Sequence, residues 1–287
     1  ALATYRNALA ILDTSGRGET MTRTIMQHDY SVSLMALGEV AVAESSFHGI
    51  IARLARSDPD APIPSQPLIH YAHAALFEHH ADSAAKYFGI LARQAAKEKN
   101  NYWQARAVFG LAQAQLQLGD LAHAEESIMR FRRITAKTNV RSSDDQITDV
   151  RILDALFALV GGDTARGHDL VVAALHSNGQ GAGVHRKTFH SALVLATETA
   201  LALGEPAEAL GYAHDARVQA TLDSVTESRS AFVGEAMLLE ARALLAGGDS
   251  ARARTEVARS VIALRNGAGA AHPRTREAER LAVALRQ

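Results

Sequence analysis

Cysteine is absent from the 287 residues. That excludes disulfides, thiol catalysis and cysteine-based zinc sites, and it leaves the compartment unreadable from redox chemistry. Proline is sparse. Of six prolines, four (Pro59, Pro62, Pro64 and Pro67) crowd one connection, so most of the chain is free of the residue that breaks helices. Aromatic residues make up only 5%, and β-branched and aromatic residues never alternate with polar ones for long, so no strand pattern emerges. Neither sign of charge is in excess: the formal net charge is −1 and the pI is about 7.0. A nucleic-acid surface needs a basic excess, and the one basic cluster, Arg130, Arg132 and Arg133, reads as the coat of an exposed helix. No apolar run approaches the ~18–20 residues of a membrane span, and no secretory signal pattern is present. The expected location is cytoplasmic.

What the chain does have is alanine. Hydrophobic residues are 47% of the sequence and alanine dominates them, which favours helices that approach one another closely. Arginine greatly outnumbers lysine, which occurs only at Lys86, Lys97, Lys99, Lys137 and Lys187; with the alanine excess this hints at a GC-rich bacterial genome. One pattern recurs along the chain. A small residue or glycine is followed five positions on by alanine or glycine, four further by an apolar residue, and three further by another. The copies are Gly38, Ala43, Phe47, Ile50; Gly119, Ala124, Ile128, Phe131; Gly162, Gly167, Val171, Ala174; Gly204, Ala209, Ala213, Ala216; and Gly248, Ala253, Val257. A weaker copy puts His79 where glycine is expected, before Ala84, Phe88 and Leu91. The anchors at 38, 79, 119, 162, 204 and 248 are 41, 40, 43, 42 and 44 residues apart. Regular spacing of this kind marks a repeat array, in which each unit packs only on its neighbours.

The pattern has a physical reading. Glycine belongs in a tight turn between two antiparallel helices. The acidic residue that often follows it (Glu39, Asp120, Asp163, Glu205, Asp249) suits the start of the second helix by capping or by the dipole. Alanine five residues on sits where the two helices cross, and the later apolar positions continue one buried stripe. Stepping back one period places Ala1, Tyr5 and Ala8 on the same stripe, so the chain is expected to begin at the second helix of a repeat and to be cut from something longer. The expected fold is a single all-α superhelix over 1–287. It comprises a partial first repeat at 1–17, repeats at about 20–57, 65–98, 101–138, 144–178, 185–221 and 226–266, and a capping helix at 273–286.

Gly, Ala, apolar, Ala at these offsets resembles the second-helix half of the tetratricopeptide repeat, most plainly in Leu118-Gly119-Asp120-Leu121-Ala122-His123-Ala124-Glu125. The long period is similar to the kinesin-light-chain-type variant found in bacterial signalling proteins, and His272-Pro273-Arg274-Thr275 resembles the His-Pro-x-Thr that opens a helix there. The first-helix half departs from the common pattern, as at Leu111-Ala112. The resemblance implies a protein- or peptide-binding module, a regulatory or scaffold segment of a larger signalling protein. It implies that the first helices line a concave face. By that register the inner-face candidates are His28, Val32, Ile69, His73, Arg106, Phe109, Gln113, Ile152, Leu156, Val194, Glu198, Leu238 and Arg242. The lysine, asparagine and arginine set of the family's carboxylate clamp is missing, which argues against a receptor for chaperone tails.

Other features weigh less. His70, His73, His79 and His80 share one helix and its end, but no His-Glu-x-x-His accompanies them. They read as polar-face residues, with ligand contact or pH sensitivity as the alternative. The glycines of 178–183 and of 266–269 lack the strand that a phosphate-binding loop needs and read as connections. No nucleophile–base arrangement or Gly-x-Ser-x-Gly elbow is present. No catalytic residue, metal or cofactor is therefore expected. Two further possibilities stay open: a sensor that encloses a small peptide or metabolite on the concave face, and self-association through the truncated first repeat.

Overall fold

A computed structural model describes residues 2–18, 20–58, 60–137, 143–177, 186–223 and 226–286. The glycine-rich stretch 178–183, Ala1 and Pro59 lie outside them. The described residues hold fourteen α-helices and no strand. In chain order these are α1 (Leu2–Thr14), α2 (Met21–Ala36), α3 (Val40–Ser57), α4 (Ser65–Phe77), α5 (Ala81–Lys97), α6 (Asn101–Gln117), α7 (Leu121–Ala136), α8 (Ser143–Val160), α9 (Thr164–Ser177), α10 (Arg186–Ala202), α11 (Pro206–Asp223), α12 (Ala231–Ala246), α13 (Ser250–Gly267) and α14 (Pro273–Ala284). A short 3₁₀ turn, Glu227–Arg229, precedes α12.

The anchors of the sequence repeat are the turns inside each helix pair. Gly38, Gly119, Gly162, Gly204 and Gly248 all take left-handed backbone conformations, and His79 takes one (φ 60°) without being glycine. That costs an ordinary side chain roughly 1 kcal/mol. At each turn the residue after the anchor donates its N–H to the carbonyl five residues back, as in Asp120 to Gln115 (2.9 Å), Asp163 to Ala158 (2.8 Å) and Asp249 to Leu244 (2.9 Å). This bond closes the first helix. The carboxylates of Asp120, Asp163 and Asp249 then accept from the N–H three residues on, at 3.3, 3.1 and 3.0 Å, and so open the second helix. One residue thus ends one helix and starts the next. Beyond it, Ala43, Ala84, Ala124, Ala209 and Ala253 are fully buried, as are Phe47, Phe88, Val171 and Ala213 further along the stripe.

First helices touch along most of the array: α2 with α4, α4 with α6, α6 with α8, α10 with α12, and α12 with α14. Among the described residues, successive second helices make no comparable contact. The first helices therefore lie on the inside of the curve. That curve brings the two ends of the array together. The turn at Gly38 abuts the start of α12, where the Ala231 N–H donates to the Gly38 carbonyl at 2.9 Å. A Cβ at Gly38 would sit 2.2 Å from Ser230 Oγ, and one at Gly267 would sit 2.3 Å from the Ala231 nitrogen and 2.7 Å from the Gly38 oxygen. Phe77 meets Phe232 edge to face at 4.9 Å and stacks on His272 at 5.5 Å. Ala231 and Ala268 join the buried core of the N-terminal repeats.

Glycine at two helix-interior positions separates packing from propensity. A Cβ at Gly110 of α6 would meet the Phe88 ring at 2.3 Å, whereas one at Gly211 of α11 meets nothing within 4 Å. Gly110→Ala should therefore destabilise by about 1–3 kcal/mol through overpacking. Gly211→Ala should stabilise by roughly 0.5–1 kcal/mol through helix propensity. Urea midpoints of the two variants read this directly, and a stabilised Gly110→Ala would contradict the packing.

Candidate functional site

The first helices from α4 onward are buried on most sides, because each packs on its own partner and on neighbouring repeats, whereas α2 buries only Thr24, Ser31, Leu34 and Met35. In α4, Pro67, Leu68, Ile69, Tyr71, Ala72, Ala74 and Ala75 are buried, leaving His70, His73, Leu76 and Phe77 half-buried. In α6 the uncovered stripe is Tyr102, Arg106, Gln113 and Gln117. This corrects part of the expected inner face. Ile69, Ile152 and Leu238 are 0%, 2% and 0% exposed, so they hold helices together and do not present a surface to a ligand. Phe109 and Val194 are also buried, with Phe109 against Phe131 at 5.5 Å. The register used from sequence fell on the packing side of these helices, since apolar residues surround the stripe on both flanks.

The remaining candidates are partly exposed and differ in how they are held. His28 lies against Phe47 (5.8 Å), and its Nε2 is 3.0 Å from His70 Nδ1. His73 packs on the edge of Phe88 at 5.0 Å. Arg106 donates to the Tyr102 hydroxyl at 2.7 Å, with its guanidinium 5.5 Å from the Tyr102 and Trp103 ring centres. This is a cation held over two aromatic faces in water-accessible surroundings. One helical turn beyond the buried Phe109 lies Gln113. Val32 and Leu156 are half-buried beside the main packing clusters.

At the C-terminal end the charges are spent on one another. Arg274 bonds to Glu198, to Glu235 (3.2 Å) and to Glu277 (3.1 Å). Arg242 reaches Glu277 (3.2 Å) and Glu198 (3.7 Å). His190 donates from Nδ1 to the Ala216 carbonyl and turns Nε2 to Glu235 at 3.8 Å. Burial alone would raise the pKa of Glu235, but His190 and Arg274 outweigh it and hold the carboxyl at about 2. The network ties α10, α12 and α14 together, so Glu198 and Arg242 are structural ion-pair members as well as inner-face residues.

A metal-type grouping that the sequence reading did not single out also appears. His168, Glu205 and Glu208 place ligand atoms within 4.8 Å of one another. Thr199 donates its hydroxyl hydrogen to helix carbonyls and so accepts from His168 Nδ1 at 2.9 Å, which turns Nε2 toward the carboxylates. Tyr212 donates to Glu208 at 2.7 Å, and burial with that carboxylate pushes the Tyr212 hydroxyl up to about 12. The two glutamates stand at the start of α11, where negative charge is favoured by the helix alone. A separate outer groove of about 530 Å³ runs between α11 and α13. Its central cation, Arg217, is already paired to Glu240 (3.0 Å) and Glu256 (3.3 Å).

No protein-family model matches the sequence, and no curated protein sequence does. The fold does match solved structures. A tetratricopeptide repeat protein from Parabacteroides merdae is 10% identical with a TM-score of 0.58, covering 100% of this chain and 99% of that one. A Rap protein solved in complex with competence and sporulation factor is 9% identical with a TM-score of 0.60, covering 99% and 84%. A signal-transduction ATPase with numerous domains and a tetratricopeptide repeat sensor, from Pyrococcus horikoshii, is 14% identical with a TM-score of 0.57, covering 99% and 43%. The protein has the tetratricopeptide-type helical solenoid fold.

Glu78, which caps α4 beside the turn at His79, is a test of the site's electrostatics. It is 7% exposed, its Oε1 has no hydrogen-bond partner, and burial with the Glu44 carboxylate nearby pushes its pKa from 4.5 up to about 8. The folded state thus holds a proton that the unfolded state releases. Stability from this group is fully present below pH 4.5 and is lost as pH rises to about 8. Glu78→Gln should therefore be more stable than the parent by at least about 1 kcal/mol above pH 8 and nearly equal to it near pH 4. Denaturation curves at several pH values check this, and a gain independent of pH would contradict it.

Proposed function

We propose that this chain is a protein- or peptide-binding module of a regulatory or signalling protein, and that it binds an extended segment along the inner stripe of α2, α4 and α6. The observation that carries the reading is the arginine–aromatic platform of Tyr102, Trp103 and Arg106. It is half-exposed and not consumed by an acidic partner among the described residues, whereas Arg242 of α12 and Arg274 of α14 are. Rigid aromatic and arginine side chains are the ones that carry binding energy at interfaces. The Rap protein of the same fold is solved in complex with competence and sporulation factor, which supports a partner-binding role for a superhelix of this kind. Catalysis is not part of this reading. A sensor that encloses a small metabolite is the second reading, favoured by the meeting of the two ends.

Selection of a random peptide display library on the folded protein tests the first reading. Enriched peptides should bind the parent and lose at least about tenfold in affinity to Arg106→Glu, equivalent to about 1.4 kcal/mol, with the helical signal and melting temperature of that variant unchanged. Failure to enrich any peptide, or binding indifferent to Arg106→Glu and Gln113→Ala, would move the site away from this stripe.

A further inference from the structure

The seam between the two ends contains a histidine whose protonation state is fixed by geometry. His272 is 3% exposed and caps α14. Its Nδ1 faces the Arg274 backbone N–H at 3.2 Å, a group that can only donate. Its Nε2 faces the Phe77 carbonyl at 3.0 Å, a group that can only accept. The ring is therefore neutral, with its single proton on Nε2. It spans the seam through a bond between α14 and the end of α4, residues 195 apart in sequence.

A second proton on Nδ1 would point at the Arg274 N–H. It would remove the cap and place a cation inside an almost dry contact. The groups that face the ring come from every element around it. Phe77 and His79, from α4 and its turn, lie 5.5 and 5.3 Å from it, and His80 and the Arg274 guanidinium add repulsion. Glu235 of α12 is the opposing charge, but it is already engaged by Arg274 and His190. Burial is the largest effect, and the pKa of His272 is held below 6.5. The open form, with the ring in water, binds the proton more readily. Closure is therefore favoured above about pH 6.5 and is lost as pH falls below it. Among the described residues, no other seam contact offsets this by gaining charge on acidification: the Ala231–Gly38 bond and the Phe77–Phe232 pair do not titrate, and the Arg229–Glu39 pair at 2.9 Å is weakened if its carboxylate takes a proton.

We infer that the seam is an acid-released latch: neutral His272 holds the superhelix closed, and its protonation lets the ends part and changes the curvature of the inner face. As regulation of the binding surface this rests on the function proposed above; as a property of the seam it does not, and the experiment reads the seam alone. The absence of cysteine allows two labels to be placed uniquely. Val42→Cys and Ile262→Cys, both exposed, lie on α3 and α13, the helices that meet across the seam. Spin labels at these sites should give one short, narrow distance at about pH 7.5 and a longer, broader one at about pH 5, a range in which histidine titrates. Gly38→Val, whose side chain cannot fit against Ser230, supplies the open reference at both pH values. His272→Gln and His272→Asn keep a neutral donor and acceptor, and should remain short at both. A parent distance that does not change between the two pH values would overturn the latch. So would acid opening of the His272→Gln or His272→Asn protein equal to that of the parent.

Discussion

A curved stack of helix pairs must either spiral past its own start or run into it, and this one runs into it. The contact is made by backbone. Gly38 and Gly267 are bare of side chains where the first residues of α12 pass between them, and the Ala231 N–H closes on the Gly38 carbonyl. Any Cβ at either glycine would hold the ends apart. Closing a loop nearly two hundred residues long is costly for a free chain, although that cost grows only logarithmically with length. Here the repeats have already fixed the direction of the chain, so most of the ordering is complete before the ends meet. A few bonds and one aromatic cluster are enough to hold a seam on those terms, and a small bias is enough to release it.

The seam also divides the inner surface. The α10, α12 and α14 end is a mesh of ion pairs around Arg274, with each charge satisfied by a neighbour. Breaking one member of such a buried mesh strands the others, so these residues are constrained to serve the scaffold. The α2, α4 and α6 end is less committed. Its uncovered stripe carries histidines, glutamines and the arginine–aromatic platform, with few opposing charges. On the proposed reading, partner recognition falls to the less committed end of the superhelix while the ion-pair mesh at the other serves the scaffold.

The repeat was legible because its physics is local. A left-handed turn, an acidic residue that ends one helix and begins the next, and a small residue at the crossing all fall within a dozen positions. They recur every 40–44 residues, and the helices lie where that pattern places them. The inner face was legible only in part. Arg106, Gln113, His28 and His73 lie on the uncovered stripe, but Ile69 and Ile152 do not, because a first helix buried on three sides carries no clean apolar period to set the register. The seam left faint marks that a single sequence does not explain. Glu39 stands where three other turns carry a capping aspartate, and in the structure it makes no cap and pairs instead with Arg229, 190 residues away. The His-Pro-x-Thr run looked like a helix start, and it is one. That its histidine also reaches across to Phe77 depends on the summed curvature of six repeats, which no local pattern reports.

Small-angle X-ray scattering on the protein at neutral pH tests closure most directly, because an open superhelix and a closed one differ in their longest internal distance. A closed superhelix gives a pair-distance distribution that ends at the longest dimension of the closed structure and a profile that this structure fits without change. A distribution that extends beyond it, matched by that of Gly38→Val, would show that the ends do not meet in solution and would contradict the account.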